Sequence, residues 1–246
     1  MKSEPIYLSI IVPAYNEAAR ISETLLDIDK HLRGASYRYE ILVVDDGSLD
    51  DTVKIVEGMQ GRVRNLVLIK NSENKGKGGV VRQGMLLATG KVRLFMDADN
   101  STSIDQYDLL SQYFSQGYDV VIGSRAARGA TLDPPQPFIR RCSGRALNII
   151  VRTLLLPNIL DTQCGFKMFT DDAVKDIFSK SQISGWGFDM EILSIAKKKG
   201  YKIKEVPIHW KNIAGSHVRF SAGFAFLRDV GRIRWGMWKN RYATGK

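Results

Sequence analysis

The chain has 246 residues, of which 44% are hydrophobic, and it carries 36 Lys and Arg against 26 Asp and Glu. This suffices for one α/β domain with a substantial core. The sequence shows no signal peptide, no apolar run near the roughly 18 residues that span a bilayer, and only two cysteines, which predicts a cytoplasmic chain with reduced thiols. The net charge of +10 favours a polyanionic partner, which is a nucleic acid, an anionic membrane or a phosphorylated substrate.

Apolar strands and amphipathic helices alternate along the chain. A helix follows the first strand because Ile21, Leu25 and Ile28 recur at helical spacing. Strands are predicted at Leu8–Val12, Ile41–Val44, Val63–Ile69, Val92–Met96 and Asp119–Ser124, and further helices at Asp51–Met59 and Val80–Ala88. This alternation predicts an α/β fold with a mainly parallel sheet flanked by helices, which binds ligands beyond the carboxyl ends of its strands.

Polar segments follow three of the predicted strands, at Pro13–Glu17, Asp45–Ser48 and Asp97–Asp99. Because parallel strands end at the same edge of a sheet, we expect these segments to line one cleft. Asp97 and Asp99 are candidates for sharing a divalent cation, which prefers oxygen ligands and can also hold a diphosphate. The alternative is that these aspartates serve only turns and helix caps.

The glycine-rich segment Asn74–Gly79 precedes a predicted helix. A dinucleotide-binding fingerprint would need a further glycine where this chain has Val81, and no Walker-type ending is present. We therefore predict a flexible loop in which Lys75 and Lys77, backed by Arg82, cradle a diphosphate. A solvated basic loop without that role is the alternative.

Taken together, these segments resemble the nucleotide-sugar half of family-2 glycosyltransferases with the GT-A fold. The matching segments of the first half are Pro13–Glu17, Asp45–Ser48 with Asp50–Thr52, the lysine-glycine loop and Asp97–Asp99. The second half is similar to dolichyl-phosphate glucosyltransferases, with dolichol-phosphate mannose synthases as close cousins, at Gly123–Arg125, Asp161–Lys167, Gly185–Glu191 and Ile213–Ser216. Eukaryotic members of that group carry an N-terminal membrane anchor, whereas this sequence begins directly with its first strand.

The resemblance implies an inverting transfer of a hexose, most simply glucose from UDP-glucose, to a polyprenyl phosphate, with Mg²⁺ or Mn²⁺ on Asp97 and Asp99. The mannose synthases have a glutamine as a third metal ligand where this chain has Ser101, which leaves that ligand unassigned. The residues expected to bind the nucleotide sugar are Pro13, Ala14, Tyr15, Glu17, Asp45, Asp46, Gly47, Lys75, Lys77, Arg82, Asp97 and Ala98. The residues expected to act in catalysis are Asp99, Arg125 and Asp189.

A phosphate acceptor changes what the site must do. Its oxygen is already ionised near neutral pH, so the acceptor must be held more than deprotonated. Arginine forks match phosphate geometry, and the candidates are Arg125, Arg140, Arg141 and Arg145, with solvated surface arginines as the alternative. Asp189 stands where family-2 enzymes keep a catalytic carboxylate, and we expect that it is not an essential base here.

Two basic amphipathic helices are predicted in the second half. One places Leu147, Ile150, Val151, Leu154 and Leu155 on one face, and the other begins near Ser221 with Phe226, Val230, Ile233 and Met237 among basic residues. We expect both to lie in the headgroup plane of a membrane, unless their apolar faces pack on the core or on a partner subunit.

The resulting expectation is a GT-A domain over residues 1–217, with a nucleotide-sugar half (1–100) and an acceptor half (101–217), followed by a basic amphipathic tail (218–246). The protein would bind peripherally to the cytoplasmic side of a membrane, and a homodimer is left open. GDP-mannose is the rival donor, and a hydroxyl acceptor would require Asp189 as a base. A sugar-phosphate nucleotidyltransferase would instead release diphosphate. A nucleic-acid partner is not expected, because clustered aspartates repel phosphates.

Overall fold

The computed structural model describes residues 4–134, 147–211 and 222–242. The strands are β1 (Leu8–Ala14), β2 (Tyr39–Asp45), β3 (Leu66–Lys70), β4 (Val92–Met96), β5 (Val120–Ser124), β6 (Thr131–Asp133), β7 (Phe166–Thr170), β8 (Ile203–Pro207) and β9 (His209–Lys211). The helices are α1 (Ile21–Leu32), α2 (Thr52–Met59), α3 (Lys77–Leu87), α4 (Gln106–Ser111), α5 (described over 147–154), α6 (Asp171–Phe178), α7 (Phe188–Lys198) and α8 (Ala222–Trp238).

A seven-stranded sheet organises the chain, with the order β3-β2-β1-β4-β7-β5-β8. Strand β7 runs antiparallel to both of its neighbours, and the remaining neighbours are parallel. A small parallel pair of β6 and β9 stands apart from this sheet. The predicted mainly parallel α/β architecture is confirmed. Since β4 of the first half pairs with β7 of the second, both halves of the chain share one sheet.

Side chains of each central strand alternate between two apolar layers, as the period of a strand requires. On β1, Ile10 and Val12 face the layer that contains α1 and α2, whereas Ile11 faces the layer that contains α3, α6, α7 and α8. All three side chains are fully buried. The sheet is therefore covered on both faces, and its polar strand ends are the places where function can lie.

Helix α3 begins three residues earlier than the apolar pattern predicts, at Lys77 instead of Val80. The turn before it needs Gly76, which has φ +78°, a conformation that favours glycine. A Cβ on Gly78 would lie 2.5 Å from the Ile183 carbonyl oxygen and 2.6 Å from the Phe188 Cβ. The glycine-rich segment is therefore a docked helix start, not the flexible loop that was predicted.

Most residues of the apolar faces predicted for the two amphipathic helices pack on the core, whereas Leu154 of α5 is 45% exposed. Val151 of α5 and Val230 and Ile233 of α8 are buried in the layer that also contains α3 and α7. The alternative interpretation, in which these faces pack on the core, therefore holds for these residues, because the core buries their apolar side chains. Within the described residues, no helix is long and apolar enough to cross a membrane.

Candidate active site

The turn after β4 holds Asp97 and Asp99, and α1 fixes its shape. The hydroxyl of Thr24 donates to the carbonyl oxygen of Ala98 at 2.6 Å, and the side-chain amide of Asn100 donates to Asp27 at 3.2 Å. Asn100 has φ +56°, a left-handed conformation that asparagine tolerates better than most residues. The backbone N–H of Ser101 donates to Asp99 Oδ1 at 2.9 Å. The two carboxylates are thus displayed by a rigid turn.

Lys77 lies against the first of these aspartates, with its Nζ 2.6 Å from Asp97 Oδ1. The ammonium also lies 5.0 Å from the centroid of the Trp186 ring, in cation–π geometry. Burial opposes the charge on this lysine, but the carboxylates of Asp97 and Asp189 outweigh it and raise the pKa of Lys77. Lys77 is therefore a firmly charged group at the carboxyl end of β4.

Hydrogen bonds join the segments that follow β1 and β2. Asn16 donates its backbone N–H to Ser48 Oγ at 3.0 Å, and Leu49 donates its own to Asn16 Oδ1 at 2.8 Å. The backbone N–H of Glu17 donates to Thr52 Oγ1 at 2.8 Å. Two of the three polar segments that were predicted to line one cleft, those after β1 and β2, are brought together here.

Asp45 and Asp46 use their carboxylates to hold backbone. Asp45 Oδ2 accepts the N–H groups of Gly47 and Ser48, each at 3.0 Å. Asp46 accepts the N–H of Lys75 at 2.6 Å and of Gly76 at 3.0 Å, and burial raises its pKa. Asp45 Oδ1 is buried and has no hydrogen-bond partner among the described residues. The two carboxylates fix the backbone turns after β2 and before α3, and Asp45 Oδ1 remains as a hydrogen-bond acceptor.

Pro13 and Ala14 end β1. The next two residues predicted to bind the nucleotide sugar, Tyr15 and Glu17, differ in environment. Tyr15 is half-exposed. Glu17 pairs with Arg20 at 2.6 Å; burial raises the pKa of Glu17, and the charges of Asp99 and Asp97 act in the same direction. Glu17 therefore feels the field of both candidate metal ligands.

Only one of the three predicted diphosphate cations reaches the aspartates. Lys75 Nζ donates to Asn71 Oδ1 at 2.7 Å and to Gln83 Oε1 at 3.2 Å, on the outer side of the loop. Arg82 Nε donates to the carbonyl oxygen of Phe178 at 3.0 Å, at the end of α6. Lys77, the first residue of α3, is the one of the three that pairs with Asp97.

Arg125 follows β5, as predicted, but its guanidinium fork is occupied. Nε lies 2.7 Å from Asp161 Oδ2, and Nη2 lies 2.9 Å from Asp161 Oδ1. Paired with this arginine, Asp161 has its pKa lowered to about 2, although burial acts in the opposite direction. Arg125 Nη1 takes no part in this ion pair. Arg140, Arg141 and Arg145 lie outside the described residues.

Asp189 lies in the first turn of α7 and is almost completely buried. Its carboxylate pairs with the ammonium of Lys167 on β7, which has no exposed surface and also donates to the Cys164 carbonyl oxygen at 2.5 Å. Burial raises the pKa of Asp189, while the ammonium groups of Lys167 and Lys77 oppose that shift. The carboxylate is enclosed and already has a cationic partner.

Several residues of this site were not predicted from the sequence. Lys167 and Asp161 belong to segments that carried the resemblance, yet nothing local indicated their ion-pair partners. Glu191 is fully buried and accepts backbone N–H groups from Gln182 and Ile183, at 2.9 and 2.8 Å, and the Tyr242 hydroxyl at 2.9 Å. A lysine inside the apolar strand Phe166–Thr170 was the one usable signal, because a buried charge requires a partner.

The donor set at the end of β4 suits a divalent cation that is shared with a ligand. Across residues 4–134, 147–211 and 222–242, no three acidic, histidine or cysteine side chains form a complete metal-binding group. Mg²⁺ commonly takes one or two carboxylates and completes its octahedron with phosphate oxygens and water. Asp97 and Asp99 fit that demand, whereas a site built wholly from protein ligands is not present in those ranges.

Comparisons with known proteins find similar sequences and similar folds. The family model for glycosyl transferase family 2 matches residues 9–178. The chain is 38% identical over 251 residues to a dolichyl-phosphate beta-glucosyltransferase of Dictyostelium discoideum, covering 95% of this chain and 77% of that protein. It is 37% identical over 231 residues to the dolichyl-phosphate beta-glucosyltransferase of Saccharomyces cerevisiae, covering 87% of this chain and 69% of that protein.

Among solved structures, the fold is similar to glucosyl-3-phosphoglycerate synthase from Mycobacterium tuberculosis in complex with Mn²⁺, UDP-glucose and phosphoglyceric acid. The TM-score is 0.67 at 18% identity, with 98% of this chain and 81% of that chain covered. At this identity the likeness concerns the fold alone.

Replacing Lys167 by Met should destabilise the protein, because it leaves a buried carboxylate without its cation. We expect urea unfolding to show a loss of about 3–5 kcal/mol in the free energy of unfolding. The double variant Lys167→Met/Asp189→Leu should recover most of that loss, since it removes both charges.

A matched control is Lys175→Met, which removes an exposed ion pair with Asp171 of 2.6 Å and should cost less than about 1 kcal/mol. A Lys167→Met protein as stable as the unmodified one would contradict the structural role of the pair. So would a double variant that is no more stable than the single one.

Proposed function

The chain belongs to glycosyl transferase family 2, and on that premise we propose that it transfers glucose from UDP-glucose, with inversion, to a polyprenyl phosphate of the dolichyl type. The observation that carries the proposal is the group of Asp97, Asp99 and Lys77 at the end of β4. The names of the relatives supply the acceptor class and the transferred sugar, and UDP as the nucleotide is part of the proposal.

The leaving group of this reaction is a nucleoside diphosphate, which gains negative charge as the glycosidic bond breaks. A divalent cation, Mg²⁺ or Mn²⁺, held by Asp97 and Asp99 would supply the positive charge that stabilises this diphosphate. Lys77 adds a second positive charge from the first turn of α3. Asp99 is the ligand whose loss should be least tolerated, because Asp97 is shared with Lys77.

The nucleoside half of the donor would lie along the hydrogen-bonded segments that follow β1 and β2. Pro13, Ala14 and Tyr15 would line one side of it, and Asp45, Asp46 and Gly47 the other. The half-exposed ring of Tyr15 offers a face for the base, and Asp45 Oδ1 is a buried acceptor without a partner among the described residues.

The acceptor is a phosphate monoester with about −1.5 to −2 charges near neutral pH, so its nucleophilic oxygen needs no base. Arg125 would meet it with Nη1, while Asp161 fixes the plane of the guanidinium through the other two nitrogens. Arg140, Arg141 and Arg145 are proposed as further phosphate ligands. Asp189 is proposed as a positioning residue, since it is buried and paired with Lys167.

The outer face of α8 would attach the protein to the cytoplasmic surface of a membrane. Trp238 is 70% exposed, Trp235 is 49% exposed, and Lys239 Nζ lies 4.8 and 5.1 Å from their ring centroids. Arg228, Arg232 and Arg234 are exposed on the same helix. Indole rings favour the headgroup level and basic side chains favour anionic lipid, so this face suits peripheral attachment.

The transfer reaction is tested by incubating the protein with Mg²⁺ or Mn²⁺, a polyprenyl phosphate and one radiolabelled nucleotide sugar at a time. We expect label in the lipid from UDP-glucose, release of UDP and no reaction after addition of a chelator. Label only from GDP-mannose would reassign the donor. Release of diphosphate, or labelling of a polyprenol but not of its phosphate, would overturn the proposed reaction.

Attachment through α8 is tested by flotation with vesicles that contain anionic lipid. The variant Trp235→Ser/Trp238→Ser should bind about tenfold or more weakly, because two interfacial indoles are removed. Leu87→Ser, at an exposed apolar residue of α3, is the control and should float like the unmodified protein. Flotation that the tryptophan variant leaves unchanged would contradict this surface.

A further inference from the structure

Two positively charged groups are candidates to bind Asp97 Oδ1. In the structure it is the partner of Lys77 Nζ, at 2.6 Å. On the proposed function, the same carboxylate is also a ligand of the divalent cation. Two cations attracted to one carboxylate repel each other, so the ammonium and the metal compete for Asp97.

The surroundings of Lys77 keep it close even when it is not on Asp97. Its side chain is 18% exposed, and the Trp186 ring lies 5.0 Å from the ammonium. Gly78 donates its N–H to the Ser184 carbonyl oxygen at 2.7 Å, which docks the start of α3 onto the loop that carries Trp186. Asp189 is a second carboxylate that favours the charged form of Lys77. Lys77 can therefore change partner without leaving the site.

A donor diphosphate offers the displaced ammonium a new partner. Phosphate oxygens form charge-assisted hydrogen bonds with lysine, so a diphosphate bound beside Asp97 would receive Lys77 as the metal takes the carboxylate. Binding of either the metal or the nucleotide then favours binding of the other. In thermodynamic terms they bind with positive coupling, and the coupling is reciprocal.

Resting on the proposed function, we propose that Lys77 is an internal counter-ion that couples binding of the divalent cation to binding of the nucleotide. Without nucleotide, Lys77 holds Asp97 and keeps the affinity for the metal low. With nucleotide, Lys77 passes to the diphosphate, and Asp97 is left to the metal. The site is thereby loaded with both ligands together more readily than with either one.

The test is a titration of Mn²⁺ followed by electron paramagnetic resonance at fixed pH, with and without saturating UDP. Lys77→Met should bind Mn²⁺ alone about five- to tenfold more tightly, the effect expected for loss of one partly shielded charge. UDP should tighten Mn²⁺ binding strongly in the unmodified protein and by a factor about tenfold smaller in the variant. The stoichiometry reports the folded fraction, so partial unfolding of a variant does not alter the dissociation constant.

Lys75→Met is the matched control, because Lys75 lies two residues earlier and its ammonium is bonded to Asn71 and Gln83 instead of Asp97. It removes the same formal charge and should leave the affinity for Mn²⁺ alone unchanged. Unaltered Mn²⁺ binding by Lys77→Met would overturn the inference. An equal gain in Lys75→Met would also overturn it, because the effect would then belong to net charge.

These outcomes are distinguishable from failure of the proposed function itself. If the unmodified protein binds no Mn²⁺ even with UDP, the metal-dependent transferase and the inference both fall. If it binds Mn²⁺ with UDP and transfers glucose, but Lys77→Met shows no tighter binding of Mn²⁺ alone, only the counter-ion role falls.

Discussion

A lysine in the middle of a sheet can remain charged only if a carboxylate is brought to it, and Lys167 imposes that constraint on this fold. Lys167 has no exposed surface and lies on β7, the antiparallel strand between β4 and β5. Its partner Asp189 opens α7, so the ion pair fixes where that helix starts. The loop before α7 carries Trp186, which covers Lys77, and Lys77 reaches Asp97. Charges of alternating sign thus lead from the core to the candidate metal ligands.

This arrangement favours a site that works by placing charge, with little need for proton transfer. The buried carboxylate of Asp189 is already paired with the ammonium of Lys167, and a phosphate acceptor is already ionised when it binds. On the proposed function, the departing diphosphate meets positive charge at the end of β4, and Arg125 meets the acceptor from the end of β5. Asp161 keeps Arg125 oriented, in the way that Asp189 keeps Lys167. Arg125 and Lys167 are thus each backed by a buried carboxylate.

The fold and part of the site follow from local patterns, and the remainder depends on distant partners. The alternation of strands and helices in the first half of the chain and the turn Asp97–Asp99 were predictable because apolar periodicity and strand-end carboxylates are local signals. The placement of Lys77 was not, since it depends on where α3 begins and hence on contacts of Gly78 with residues more than 100 positions later. The pairing of Arg125 with Asp161, which lie 36 residues apart, was likewise not readable from spacing. The apolar faces of α5 and α8 were misassigned because periodicity cannot tell a core from a membrane.

The central claim is that the acceptor is activated by its own charge and that Asp189 is not a general base. The most direct measurement is the pH dependence of glucose transfer to polyprenyl phosphate, compared between the unmodified protein and Asp189→Asn. The account predicts a loss in kcat of less than about 10⁴, with a pH profile of unchanged shape. A larger loss with unchanged donor binding, accompanied by a bell-shaped profile that the substitution shifts, would contradict it.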